Sequence, residues 1–182
     1  MSCKVEEFYK YYSKEQLSDV RKHSQILKSL DTKYFKEKDI KKLYHKICDY
    51  IIPDNFIFNI LIQISGKIRS EKCINFIYDE MLDMQCYPNI FNYNILIKAY
   101  AQINKEDMIK LCYEEMIYYG IKPNVITYST LIKAYDNMNL PKKVIECYQQ
   151  MLADGINLDV ITYNTLIKAY DNMNLPKKVI EC

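Results

Sequence analysis

Four short polar side chains recur at one interval: Asn59, Asn94, Ser129 and Asn164 stand 35 residues apart. Each offers a hydrogen-bonding amide or hydroxyl on a short stem. Four residues further on come Lys98, Lys133 and Lys168, and Lys28 holds the same place in an earlier, weaker copy. A regular row of cations suits phosphates, although Gln63 interrupts this one. No catalytic set accompanies them. His23 and His45 are single and unpartnered, the seven cysteines contain no CxxC pair, and no Cys/His cluster has metal-ligand spacing. No HxE motif is present, and no paired carboxylates stand out from solvated helix faces. The residues predict display and binding: not an enzyme by itself, with no metal, no cofactor and no small-molecule substrate.

The elements that position these side chains repeat. VITYSTLIKAYDNMNLPKKVIEC, from Val125, returns from Val160 with one change, Ser129 against Asn164. The same interval earlier lies IFNYNILIKAY from Ile90, and before it NFIFNILIQIS from Asn55. A period of this length marks stacked supersecondary units rather than one central core. The units are 55–89, 90–124 and 125–159, with a truncated one at 160–182. Residues 20–54 read as a degenerate repeat, and 1–19, with Val5, Phe8 and Tyr12 on one stripe, as the second helix of another.

Each complete unit reads as two helices. In 125–159, Tyr128, Leu131, Ile132 and Tyr135 follow i, i+3, i+4, i+7 spacing and form one apolar face. Ile126, Ser129 and Lys133 fall on the opposite face. Asp136 to Asn139 interrupt the pattern, and Pro141 suits the first turn of a second helix that buries Val144, Tyr148, Met151 and Leu152. Gly155 and, one unit earlier, Gly120 are C-terminal stops, a place Gln85 takes before that. A hairpin this small cannot bury both faces alone, so neighbours must stack. The fold class expected is all-α.

Composition supports this and narrows the function. Apolar residues at 49% exclude global disorder, and three Gly with five Pro argue against an all-β fold. The net charge of +2 is too small to mark a nucleic-acid binder by itself. Its distribution is uneven, with 12 basic against 9 acidic groups in residues 1–54 and near balance afterwards, so an anionic partner would depend on local placement. Cys112, Cys147 and Cys182 recur beside the second-helix stripe, the pattern of buried, reduced structural thiols in a cytosolic or organelle-interior protein. No apolar run is long enough for a membrane span, and the N-terminus resembles neither a secretory signal nor a typical transit peptide. The last unit stops in mid-helix, which predicts a frayed end and a longer native protein.

The period is 35, not the 34 of tetratricopeptide repeats, and the helix-crossing positions hold bulky Ile132, Val144 and Met151. Tyr-Asn/Ser-x-Leu-Ile early in the unit, Tyr-x-x-Met late and Gly-Ile-x-Pro-Asn at its end resemble the pentatricopeptide repeat (PPR) family, strongly over 55–182 and weakly over 1–54. The resemblance implies a right-handed α-solenoid of stacked helix-turn-helix repeats whose first helices hold single-stranded RNA, one base per repeat. It implies base-reading pairs Ser24 with Asp54, Asn59 with Asn89, Asn94 with Asn124 and Ser129 with Asp159, followed by Asn164. By that resemblance Asn with Asn favours a pyrimidine and Ser with Asp a guanine. Phe56, Phe91, Ile126 and Ile161 would sandwich the bases, and Lys28, Lys67, Lys98, Lys133 and Lys168 would meet phosphates. Asp136 and Asp171, three residues beyond their lysines, are placed to neutralise them.

Stacking at about 1–3 kcal/mol per base gives roughly 4–12 kcal/mol over about four bases, no more than an association cost of about 4–15 kcal/mol, so these units alone should bind poorly. A longer array or a helper, such as other RNA-processing proteins, is therefore expected. The family implies organellar RNA processing, stability or translation in a mitochondrion or plastid; cytoplasm and nucleus stay open. The alternative is a helical-repeat scaffold for protein–protein interaction, the usual role of related arrays. A third reading, an array detached from a catalytic domain, finds no catalytic residues here.

Overall fold

The computed structural model describes residues 25, 27, 28, 35–157 and 160–173, with the side chain of Ile161 excepted. The expected segment at 1–19, most of the first helix of 20–54, and the end of the chain from 174 onward lie outside them. The described residues form helices joined by short turns. They fall into two compact units, Met1–Pro88 and Asn89–Cys182.

In the first unit, α1 (Glu37–Cys48), α2 (Asn55–Lys67) and α3 (Glu71–Asp83) pack against one another. Their contact surface is built from Ile40, Leu43, Tyr44 and Ile47 of α1, Ile57, Phe58 and Leu61 of α2, and Ile74, Ile77 and Met81 of α3, all buried. The sequence sets these boundaries locally. Asp54 caps α2 by accepting hydrogen bonds from the amides of Phe56 and Ile57, and Ser70 caps α3 through the amide of Cys73.

The second unit holds α4 (Ile90–Gln102), α5 (Glu106–Tyr118), α6 (Val125–Asn137), α7 (Pro141–Ala153) and α8 (Val160–Asn172). Here α4 pairs with α5 and α6 with α7, while α4, α6 and α8 stack in succession and α7 also meets α8. First helices begin at 55, 90, 125 and 160, so the 35-residue interval of the sequence is an interval of structure. Tyr128, Leu131, Ile132 and Tyr135 are buried as their spacing predicts, together with the matching Tyr93, Leu96, Ile97 and Tyr100 of α4. Pro141 occupies the first turn of α7, where its missing N–H costs nothing.

The stops also match their sequence. Gly120 and Gly155 have φ of 71° and 72°, and Gln85 adopts the same left-handed region at 57° despite its side chain. Each is followed by an amide that reaches back to a carbonyl of the preceding helix, as Ile156 does to Met151. Arg69, Asn104 and Asn139 repeat this geometry between first and second helices.

The second helix of 125–159 buries less than its stripe suggests. Val144 and Met151 are fully buried, Tyr148 is half-buried, and Leu152 is 48% exposed. One residue advances about 100° round a helix, so Leu152 turns away from the face that Met151 packs. Cys112 is buried, Cys147 is half-buried and Cys182 lies outside the described residues.

A polar seam fastens the hairpins of this unit. The hydroxyls of Tyr113 on α5 and Tyr128 on α6 lie 3.0 Å apart, and Tyr128 donates to the carboxylate of Asp154 just beyond α7. Gln150 steadies the other oxygen of Asp154 at 3.0 Å. Burial, reinforced by the hydrogen bond to Asp154, holds the Tyr128 hydroxyl well above the ordinary tyrosine range. It stays a neutral donor.

Candidate functional site

Packing one face of α6 against its neighbours leaves the other face to solvent. Ile126 is 56% exposed and Lys133 is exposed, while Ser129 between them is half-buried. With Lys98 and Gln102 of α4, Asp136 of α6, and Thr162 and Thr165 of α8, they line an open cleft of about 530 Å³. Three successive first helices of the second unit thus contribute to one concavity.

The small polar position of each first helix is less open than a position opposite the apolar face should be. Asn59 and Asn94 are each only 9% exposed, Ser129 is half-buried and Asn164 is exposed. In the second unit the cause is stacking: α6 covers the flank of α4 that bears Asn94, and α8 does the same for Ser129. Among the described residues no helix follows α8 to cover Asn164. Asn94 Oδ1 is buried without a hydrogen-bond partner among the described residues. A buried carbonyl of this kind costs about 1–3 kcal/mol if nothing meets it. Ser129 Oγ, by contrast, lies 2.9 Å from Thr162 Oγ1 on α8.

The residues paired with these positions are helix caps. Asn89 Oδ1 accepts from the amides of Phe91 and Asn92, and Asn124 Oδ1 from the amide of Thr127, as Asp54 does for α2. Reciprocal bonds complete capping boxes: the Asn89 amide donates to Asn92 and the Asn124 amide to Thr127. This role was legible in the spacing Asn124-x-x-Thr127, which the reading of exposed positions passes over. The capping bonds engage Oδ1 of each residue. Ser24 and Asp159 lie outside the described residues.

Of the bulky positions, Phe56 is 44% and Phe91 64% exposed, large apolar groups facing water as Ile126 does. Lys28 Nζ sits 4.5 Å from the centre of the Phe56 ring, so this cation rests on an aromatic face. Lys67, Lys98 and Lys133 are exposed. Lys168 differs. It bonds both carboxylate oxygens of Asp136, at 2.9 and 3.1 Å. The sequence spacing pairs Asp136 with Lys133 on its own helix; in the structure it takes a lysine of the next one, because stacking brings α8 alongside. Thr162 was likewise missed, since its role depends on a residue 33 positions earlier.

Family profiles match along most of the chain. The PPR repeat family matches residues 88–137, the pentatricopeptide repeat domain residues 48–102 and 146–180, and the PPR repeat residues 126–156. No curated protein matches in sequence. Among solved structures, PPR10 in complex with an 18-nt psaJ RNA element superposes with a TM-score of 0.66 at 23% identity, over 86% of this chain and 23% of that one. PPR10 from maize gives 0.64 at 18% identity, over 90% of this chain and 24% of that one. The PPR domain of Arabidopsis thaliana protein-only RNase P 1 (PRORP1) in complex with tRNA gives 0.66 at 15% identity, over 89% and 87%. The chain thus spans about a quarter of the PPR10 length. At these identities the likeness is one of fold: an all-α solenoid of stacked helix-turn-helix repeats. With the profiles together running unbroken from residue 48 to 180, this chain belongs to the pentatricopeptide repeat family.

Proposed function

We propose that this array binds single-stranded RNA selectively, one base to each repeat, with repeats at 20–54, 55–89, 90–124, 125–159 and 160–182 after a remnant at 1–19. The observation that carries this reading is the cleft shared by three successive first helices, in which half-buried Ser129 stands between exposed Ile126 and Lys133. A base edge meeting the Ser129 hydroxyl there would have an apolar group on one side and a cation on the other. The RNA-bound state of PPR10 and the tRNA-bound state of the PRORP1 domain support the same class of ligand.

The second reader of each pair divides its work chemically. The helix cap engages Oδ1, so Asn89 and Asn124 keep an amide donor for a base, whereas Asp54 keeps an acceptor oxygen. Asn with Asn (Asn59 with Asn89, Asn94 with Asn124) then takes a pyrimidine. Ser with Asp (Ser24 with Asp54, Ser129 with Asp159) takes a guanine, and Asn164 begins a further pyrimidine site. Phe56, Phe91, Ile126 and Ile161 flank the bases, while Lys67, Lys98 and Lys133 meet phosphates and Lys28 and Lys168 do so in part. Organellar RNA processing, stability or translation is the step this activity would serve.

The experiment is direct binding of fluorescent RNAs with YYG, YYA and scrambled cores at two salt concentrations, for wild type and Ser129→Asn. Strongest binding to YYG, shifting towards YYY in the variant, is the expected result. A folded chain that binds none of them would leave the protein scaffold as the working function.

A further inference from the structure

The Ser129 hydroxyl does not face its cleft alone. Thr162 Oγ1, third residue of α8 and 2% exposed, lies 2.9 Å away. Burial holds the threonine in place, because a packed β-branched side chain has little rotamer freedom. The equivalent residue one helix earlier, Thr127, bonds its own N-cap and not the reader of the preceding helix. Thr127 Oγ1 donates to Asn124 Oδ1 at 3.2 Å and accepts from the Asn124 amide at 3.3 Å. The reader one repeat before it, Asn94, keeps its unpartnered Oδ1. Two sites built on the same plan thus differ in whether the next helix holds the reader.

The difference matters because the two readers carry their polarity differently. A carboxamide has its donor and acceptor on separate atoms. A hydroxyl has one proton on a rotor, and it presents a donor or lone pairs according to where that proton points. When a second hydroxyl lies at hydrogen-bond distance, one of the two must donate to the other. The bond uses either the Ser129 proton or one of its lone pairs, and so limits what the hydroxyl can offer the cleft. Thr162 lines the cleft but is only 2% exposed, so it bears on a ligand chiefly by holding Ser129.

We infer that Thr162 is a positioning residue for the base read by Ser129, so that the preference of repeat 125–159 is partly written in the third residue of the following first helix. This rests on the RNA reading proposed above, and the Asn94 site does not share the dependence.

The test uses the full chain with Thr162→Val, which removes the hydroxyl at nearly constant shape, and Thr162→Ser, which keeps it. RNAs varied at the base addressed by each repeat report the preference. Thr162→Val is expected to narrow the discrimination at the Ser129 position by about 2- to 10-fold, the factor for one neutral hydrogen bond, and Thr162→Ser to restore it. Thr162→Val should leave discrimination at the Asn94 position within about two-fold. Unchanged discrimination at the Ser129 position in Thr162→Val, or an equal loss at the Asn94 position, overturns the inference. Thermal unfolding of Ser129→Ala, Thr162→Val and the double variant gives an RNA-free arm: non-additive losses are expected of a bonded pair, and additive ones overturn the contact. A coupled pair in a chain that binds no RNA would refute the RNA reading itself, and the positioning role with it.

Discussion

Lys168 Nζ reaches back across the helix stack to Asp136, 2.9 Å from one carboxylate oxygen and 3.1 Å from the other. The bridge joins α8 to α6 and removes one cation from an otherwise open row. Its lysine is 58% exposed, so its contribution to folding is small. The residue in the place of Asp136 one repeat earlier is Ala101, which offers Lys133 no such partner from α4.

Replacing Asp136 should therefore act on binding more than on stability. Asp136→Asn is expected to raise RNA affinity at low salt and to steepen the salt dependence by about 0.7 in the log–log slope, the value for one added phosphate contact to a single strand. The melting temperature should hardly change, since exposed pairs contribute about 0–1 kcal/mol. A salt titration of both proteins decides it, and an unchanged slope would mean that Lys168 never reaches a phosphate.

Asn124 combines a cap with a reader, and two substitutions separate the roles. Asn124→Ala should cost about 0.5–2 kcal/mol of stability through loss of the cap and weaken binding as well. Asn124→Asp caps equally well but turns the remaining donor into an acceptor, so stability should hold while base preference at that repeat shifts from cytosine towards a base with a ring N–H, uracil or guanine. Denaturation curves beside an RNA panel would show the split. Parallel changes in both variants would tie the residue to structure only.

The Tyr113–Tyr128–Asp154 seam lies within the helical packing, away from the residues that line the cleft. Tyr128→Phe should destabilise by about 1 kcal/mol, the net value of an ordinary hydrogen bond, because exposed Asp154 can turn to water. Leu131→Ala, at a site 2% exposed, should cost about 2–5 kcal/mol. Base preference should survive Tyr128→Phe. A shift in it would show that the seam governs the spacing of the first helices.

Alkaline pH should loosen the fold. Burial pushes the hydroxyls of Tyr44, Tyr128 and Tyr135 and the thiol of Cys112 above their ordinary ranges, and the Cys147 thiol up to about 12. The unfolded chain releases these protons from about pH 8.5 for thiols and about pH 10 for phenols. The folded chain keeps them, so it binds more protons than the unfolded one, and stability falls as pH rises. The contribution is intact below about pH 8 and declines between about pH 9 and 12. Melting curves at pH 7.5 and 10.5 test this, and equal midpoints would contradict it.

The sequence by itself determined the helical hairpins, their 35-residue period and the apolar face of each first helix. These follow from local spacing: i, i+3, i+4 repetition marks a face, and Pro141, Gly120 and Gly155 mark ends. The caps formed by Asn89 and Asn124 were equally local, since their partners lie within three residues. Tertiary structure alone decided what meets what between hairpins. Asp136 chooses Lys168 over Lys133, Ser129 meets Thr162, and Asn94 is buried while Asn164 stays exposed, although the motif around each is nearly the same. Such pairings depend on how far one helix slides and turns against the next. That offset is set by the combined packing of Tyr, Leu and Ile side chains, and no single spacing along the chain encodes it.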